Sequence, residues 1–347
     1  MATKSSTPRN VLVVRFSALG DIAIAVPVLY AMCRAHSDVR FIMLTRKWTA
    51  NVFYDRPSNL VVKGVDVTKD YKGVPGMIRL ARELRKTSDI DAVADLHSVI
   101  RSWVLGASMR LHGVPVARID KGRGDKRRLV SGQDKRQLTS THDRYAAVFA
   151  ALGLTADDNF EGFTAAKTSV LPAKAPGEKW VAVAPFSQHR GKEYPLTLTE
   201  RVIEQLLASD ERVNIILFGG GNKEKKALAK LAESHPRTVS LAGIDHGFTD
   251  EYAVLRQCDA MVSMDSANMH LASLTRTPVV SVWGATHPYC GFMGWKQDPA
   301  NAVQLDLPCR PCSVFGNKPC RHGDYHCLAD IDPATIVARV KAILDKN

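Results

Sequence analysis

The sequence predicts an α/β protein of two domains, each built on a parallel sheet, and three observations carry that prediction. A chain of 347 residues, 45% hydrophobic and 24% charged, exceeds one ordinary core and suffices for two. Short β-branched runs alternate with amphipathic stretches, the pattern of parallel strands joined by crossover helices. That pattern weakens between residues 155 and 178, where the chain is polar and carries two prolines, and it restarts at Trp180. The boundary is therefore expected near residue 172, giving domains of 1–172 and 173–347.

In the first domain the strands are VLVVRF at 11–16, VRFIML at 39–44 and DAVADL at 91–96. The first of them runs into Ser17, Ala18, Leu19, Gly20 and Asp21 and then a helix whose early turn contains Pro27. The segment 121–137, KGRGDKRRLVSGQDKRQ, is basic, contains glycine and has little apolar periodicity, so a long loop is expected. In the second domain VAVAP, VNIILF, DAMVSM and PVVSVW are the strands. Asp332 and Pro333 start a last helix, on which Ile336, Val337, Val340 and Ile343 share one face.

Charge narrows the function classes. Against 35 acidic residues stand 47 Lys and Arg, a net +12 that attracts nucleic acid, an anionic membrane surface or a phosphorylated substrate without choosing among them. The polar start MATKSSTPRN, followed by an apolar run broken at Arg15 and Asp21, fits neither a signal peptide nor a spanning helix, so a cytoplasmic protein is expected. Seven cysteines then argue against a disulfide framework, and Cys33, Cys258 and Cys290 read as isolated thiols. With no G-x-G-x-x-G and no P-loop motif, dehydrogenase and ATPase readings lose support.

Sites in open α/β sheets lie at the carboxyl edge of the strands, and four such turns carry chemistry. At the first, Gly20 lets backbone approach a ligand, and Asp21 either accepts a proton from an attacking hydroxyl or caps the helix. After DAMVSM, Asp265 and Ser266 open a helix holding His270, a start whose unpaired amides suit a phosphate. The loop PFSQHRGKEYP, with Ser187, Arg190 and Lys192, offers cations to a leaving diphosphate, or is a solvated basic loop ahead of a helix near Leu198. Gly219, Gly220, Gly221 and Asn222 form a turn open to a nucleotide base or ribose, or a tight connection. Cys309, Cys312, Cys320 and Cys327, spaced C-x2-C-x7-C-x6-C with His322 and His326 between them, read equally as a structural zinc cluster or as buried thiols pinning a loop.

Taken in order, VVRFSALGDIAIAVPVL, DAVADLHSVIRSWVL, the K-x-Y-P loop at 192–195, MDSANMHLAS and the CRPCS tail resemble the lipopolysaccharide heptosyltransferases of glycosyltransferase family 9 over nearly the whole chain. The resemblance implies a GT-B fold, two Rossmann-like domains facing across a cleft, the N-terminal one binding acceptor and the C-terminal one nucleotide sugar. It implies an inverting transfer from ADP-heptose to an acidic lipopolysaccharide-type acceptor, with no metal required for catalysis. Carried over by position, Asp21 matches the general base and Lys192 the diphosphate lysine. Ser187, Gly219, Gly220, Asp265, Ser266, Ala267 and His270 fall at the donor, with Ala267 and Asn268 standing where many relatives have glycine and leucine. Ser17, Gly20, His97, Arg101 and the loop arginines Arg123, Arg127 and Arg128 fall toward the acceptor, the last three also holding the enzyme at the inner membrane leaflet. A family 9 transferase of a hexose or N-acetylhexosamine, and a non-catalytic member, are the alternatives within this resemblance. A nucleic-acid-binding protein is suggested by charge alone, with no recognition motif.

Overall fold

The computed structural model describes residues 7–164 and 168–346; the extreme N-terminus and part of the polar 155–178 stretch lie outside the described residues. The chain divides into two compact units, one of residues 1–121 and 141–161, the other of 122–140 and 162–347. Where the sequence predicts one boundary near 172, the units exchange chain at 121/122, 140/141 and 161/162.

In the first unit β1 (Asn10–Val14), β2 (Arg40–Arg46), β3 (Leu60–Val65), β4 (Ala92–Asp95) and β5 (Val116–Arg118) form a parallel sheet in the order β3-β2-β1-β4-β5. Val11 is in register with Phe41 on one side and Ala92 on the other, which centres the first predicted strand. The helix α1 (Leu19–Ala35) is buried continuously from Ile22 to Cys33. A helix apolar all round needs cover on both sides, and α5 (Thr141–Ala150) supplies the second. Pro27 sits in its interior rather than an early turn.

On the opposite face lie α2 (Gly73–Ser88) and α3 (Ile100–Arg110), packed side by side. On α2, Met77, Leu80, Ala81 and Leu84 recur at helical spacing and are fully buried. Each of the larger ones contributes about 1.5–3 kcal/mol by leaving water. They meet Leu12, Val14, Ile42 and Val93 of the sheet and Leu105 and Met109 of α3.

The second unit carries β6 (Lys179–Ala184), β7 (Val213–Leu217), β8 (Thr238–Ser240), β9 (Ala260–Met264), β10 (Val279–Val282) and β11 (Ala302–Val303) in the order β11-β10-β9-β6-β7-β8. Every strand pairing among the described residues, in both sheets, is parallel. Its helices are α4 (Arg123–Val130), α6 (Leu196–Ser209), α7 (Asn222–Ser234), α8 (Phe248–Leu255), α9 (Ala267–Leu274), α10 (His326–Ala329) and α11 (Pro333–Leu344). The last begins as predicted: the Asp332 carboxylate accepts the Ala334 amide at 2.9 Å and Pro333 takes the first position.

The basic 121–137 segment departs from the expected loop, because its first half is the helix α4. Only Lys126 and Leu129 of that helix are buried, too few for a legible period. Leu129 and Leu138 pack with Cys290, and the Leu138 amide donates to the Tyr289 carbonyl at 3.0 Å, which attaches the whole excursion to the second unit. Among the described residues no helix is long and apolar enough to cross a membrane.

Candidate active site

The first unit brings four of the expected residues to one sheet edge. Asp21 is the third residue of α1, so its carboxylate accepts the Ala18 amide at 3.2 Å and caps the helix. The same oxygen is ion-paired with Arg15, whose guanidinium is buried and donates to the Leu96 carbonyl at 2.6 Å. Of the two expected roles the structure shows the cap, and the Asp21 side chain is 29% exposed.

Across the turn, His97 accepts the Phe16 amide on Nδ1 at 3.3 Å. Burial, with Arg15 and Lys121 nearby, pushes its imidazole down to about 3, so it is neutral and its proton lies on Nε2. That proton points at Ser17 Oγ, 3.4 Å away. Asp95, fully buried at the end of β4, accepts the amides of His97 at 3.0 Å and Ser98 at 2.8 Å and so sets the turn that presents His97. Arg101 is exposed in the first turn of α3. Arg123, Arg127 and Arg128 are exposed as well, but on α4 of the second unit, where Arg128 pairs with Asp125.

In the second unit two of the expected donor residues, Lys192 and Asp265, meet. Lys192 closes a short 3-10 turn, Arg190–Lys192, and its Nζ is 3.0 Å from Asp265 Oδ2. Thr286 donates to the same oxygen at 2.8 Å. Asp265 is buried at the end of β9, where Lys192 and Thr286 both partner it. Ser266 takes the N-cap position of α9, but its hydroxyl lies 3.4 Å from Ser263 Oγ and makes no capping hydrogen bond, contrary to the expected cap. Ala267 opens α9 and His270 is buried one turn on.

The flanking glycines explain the fit. A Cβ on Gly191 would come within 2.8 Å of the Gly316 carbonyl, so only glycine lets the Lys192 turn lie against the Cys-rich segment. Ser187 donates its amide to Glu193 at 3.3 Å. The turn after β7 is occupied differently: the Gly220 amide donates to Glu224 at 2.8 Å, which puts a carboxylate where an anion would otherwise sit. Gly219 is closed off by Leu228 and Glu224.

Cys309, Cys312, Cys320 and Cys327 line one cavity of about 540 Å³ with His322 and His326. Among the described residues, however, no three His, Cys, Asp or Glu side chains are placed to hold a metal ion. Cys33, Cys258 and Cys290 are buried free thiols.

Residues outside the predicted set add to the groups described in each unit. Arg15 is foreshadowed by one charge inside an apolar strand. Tyr145, from α5, stacks under the Arg15 guanidinium 5.9 Å from the ring centre, and Thr286 holds Asp265; neither has a local sequence signal. Arg310, buried beside the cysteines, donates to the carbonyls of Trp283 at 3.1 Å and Thr286 at 2.9 Å and so secures the strand end that carries Thr286.

Comparison with known proteins agrees with this architecture. The family described as Glycosyltransferase family 9 (heptosyltransferase) matches residues 77–325. Lipooligosaccharide heptosyltransferase 2 of Campylobacter jejuni is 30% identical over 137 residues, 39% of this chain and 42% of its own, so the match spans less than half of that relative. Lipopolysaccharide heptosyltransferase 1 of Pseudomonas aeruginosa is 25% identical across 87% of this chain and 86% of its own. Among solved structures, a family 9 glycosyl transferase from Veillonella parvula superposes with a TM-score of 0.74 at 16% identity, covering 98% of both chains. E. coli heptosyltransferase WaaC with ADP superposes with a TM-score of 0.64 at 19% identity, covering 96% of this chain and 99% of that one. The two parallel-sheet α/β units are those of the GT-B fold.

Proposed function

Because the chain belongs to glycosyltransferase family 9, whose match spans well over half of it, we propose that it is an inverting transferase carrying a heptose from ADP-heptose to an acidic acceptor of the lipopolysaccharide core or lipid A type. The observation that carries the reading is Lys192 held by Asp265 at the start of α9, a cation and a row of helix-start amides arranged for a departing diphosphate. An acceptor oxygen attacks the anomeric carbon, its proton passes to the Asp21 carboxylate, and the bond from that carbon to the diphosphate oxygen breaks. Negative charge accumulates on ADP and is met by Lys192 and the amides of α9. Arg15 holds the Asp21 carboxyl in place, and His97 orients Ser17 toward the acceptor. Exposed Arg101 answers the acceptor's acidity.

No metal takes part in this displacement. Cys309, Cys312, Cys320 and Cys327 are the candidate ligands of a structural zinc in the cysteine cavity, a separate proposal that needs metal analysis because no three of these side chains are placed to hold an ion among the described residues. Metal analysis of the purified protein should find about one zinc per chain, lost in Cys309→Ser with Cys312→Ser; a metal-free wild type ends that part of the reading. The enzyme works in the cytoplasm at a membrane surface.

Isothermal titration with ADP, ADP-heptose, UDP and UDP-sugars tests the donor. Adenosine diphosphates should bind selectively, about ten- to a hundredfold more weakly to Lys192→Ala, while Asp21→Asn keeps binding and loses about a hundred- to ten-thousandfold in turnover. Preference for a uridine nucleotide would redirect the donor within the same family, and binding of none would remove the transfer reading.

A further inference from the structure

On the first unit, α3 turns an apolar stripe outward. Ile100, Trp103, Ala107 and Leu111 follow one another at intervals of three and four residues, so they share a face, and all four are exposed, Ile100 at 70% and Leu111 at 85%. Beside them, exposed Val74 and Ile78 project from α2, the neighbouring helix. Scattered exposed apolar residues need no explanation, but four on one face of α3, with two more on the helix packed against it, do.

The charge around the stripe says what covers it. α3 contains Arg101 and Arg110 and no acidic residue, and α2 adds exposed Arg82 and Lys86, while its Arg79 is paired with Glu83. Trp103, Ala107, Arg110, Leu111 and Arg118 line a surface hollow of about 520 Å³, with apolar walls and two guanidinium groups. Large apolar side chains set among arginines match the boundary between acyl chains and anionic headgroups, where each cation adds about 1 kcal/mol. The stripe also starts three residues after His97, so a lipid-anchored acceptor would leave the bilayer beside the Ser17 turn.

We infer that the outer face of α2 and α3, centred on Trp103 and Leu111, is where this protein docks on an anionic lipid surface. The inference rests on the reading of a lipid-linked acceptor and moves the membrane contact from α4 to this face. Flotation with vesicles of two parts phosphatidylcholine to one part phosphatidylglycerol, against phosphatidylcholine alone, tests it on the full chain. Wild type should float with the anionic vesicles and be released by salt; Trp103→Glu with Leu111→Glu should bind at least about tenfold more weakly, whereas Trp103→Phe with Leu111 intact should keep most of the binding. Unchanged thermal unfolding and ADP binding in the double variant would show that fold and donor site are intact. Equal vesicle binding by wild type and double variant overturns the inference, as does no binding by wild type, or a dimer that the double variant dissolves. A wild type that floats with anionic vesicles but binds no ADP would instead count against the transfer reading alone.

Discussion

At the level of single residues, the site depends on charges held in place by partners far away in sequence. Arg15 and Tyr145 fix Asp21, and Thr286 fixes the Asp265 that positions Lys192. His97 is the residue whose pH response exposes this. Its imidazole titrates near 3 when folded and near 6.5 when unfolded, so below about pH 6.5 the unfolded chain takes up a proton that the native one refuses. Stability is therefore complete above pH 6.5 and falls as pH drops toward 3. Urea unfolding at pH 7.5 and pH 5 should show wild type losing about 1–2 kcal/mol more than His97→Gln; equal losses would mean that His97 is not buried as described. Asp21, Lys192 and Asp265 were legible because each stands where a strand gives way to a helix, and local pattern marks such places. Tyr145 and Thr286 were not, since their meaning comes from contacts across 124 and 21 residues.

At the level of elements, the Lys192 turn is braced from outside its own strand and helix. The Ala285 amide donates to the Gly191 carbonyl at 2.8 Å, and the Ala285 carbonyl accepts the amides of Cys312 at 3.0 Å and Ser313 at 3.2 Å. The Cys-rich segment thus acts as a clamp on the Lys192 turn. Gly191→Ala places a methyl within 2.8 Å of the Gly316 carbonyl and 3.0 Å of Ala285 Cβ, and neither backbone can withdraw freely. It should cost about 1–3 kcal/mol and weaken ADP binding about tenfold. Gly243→Ala, with open space at its Cβ, should change neither; calorimetry giving both variants the wild-type affinity would discard the clamp. The strands β1, β2, β4, β6, β7, β9 and β10 could be read because each is a nearly continuous buried run, and α11 because it has a cap and one apolar face; β3, six residues long but buried only at its two ends, could not. The short β5, β8 and β11, of two or three residues, carry no period to read, and α4 buries too little of itself to show one.

At the scale of the whole molecule, composition anticipated two α/β units because both sheets are parallel and their strands are nearly continuous apolar runs. It did not anticipate that residues 122–140 leave the first unit and return, since a surface excursion anchored by Leu129 and Leu138 looks in sequence like any polar loop. That excursion constrains recombination. A gene fusion that exchanges the second half of the chain at residue 172 would strand Leu129 and Leu138 with the old partner and strip the cover from Cys290. Chimaeras with a relative should therefore fold only when the crossover carries 122–140 along with everything after 161, so that modular inheritance of donor and acceptor specificity would require three junctions rather than one.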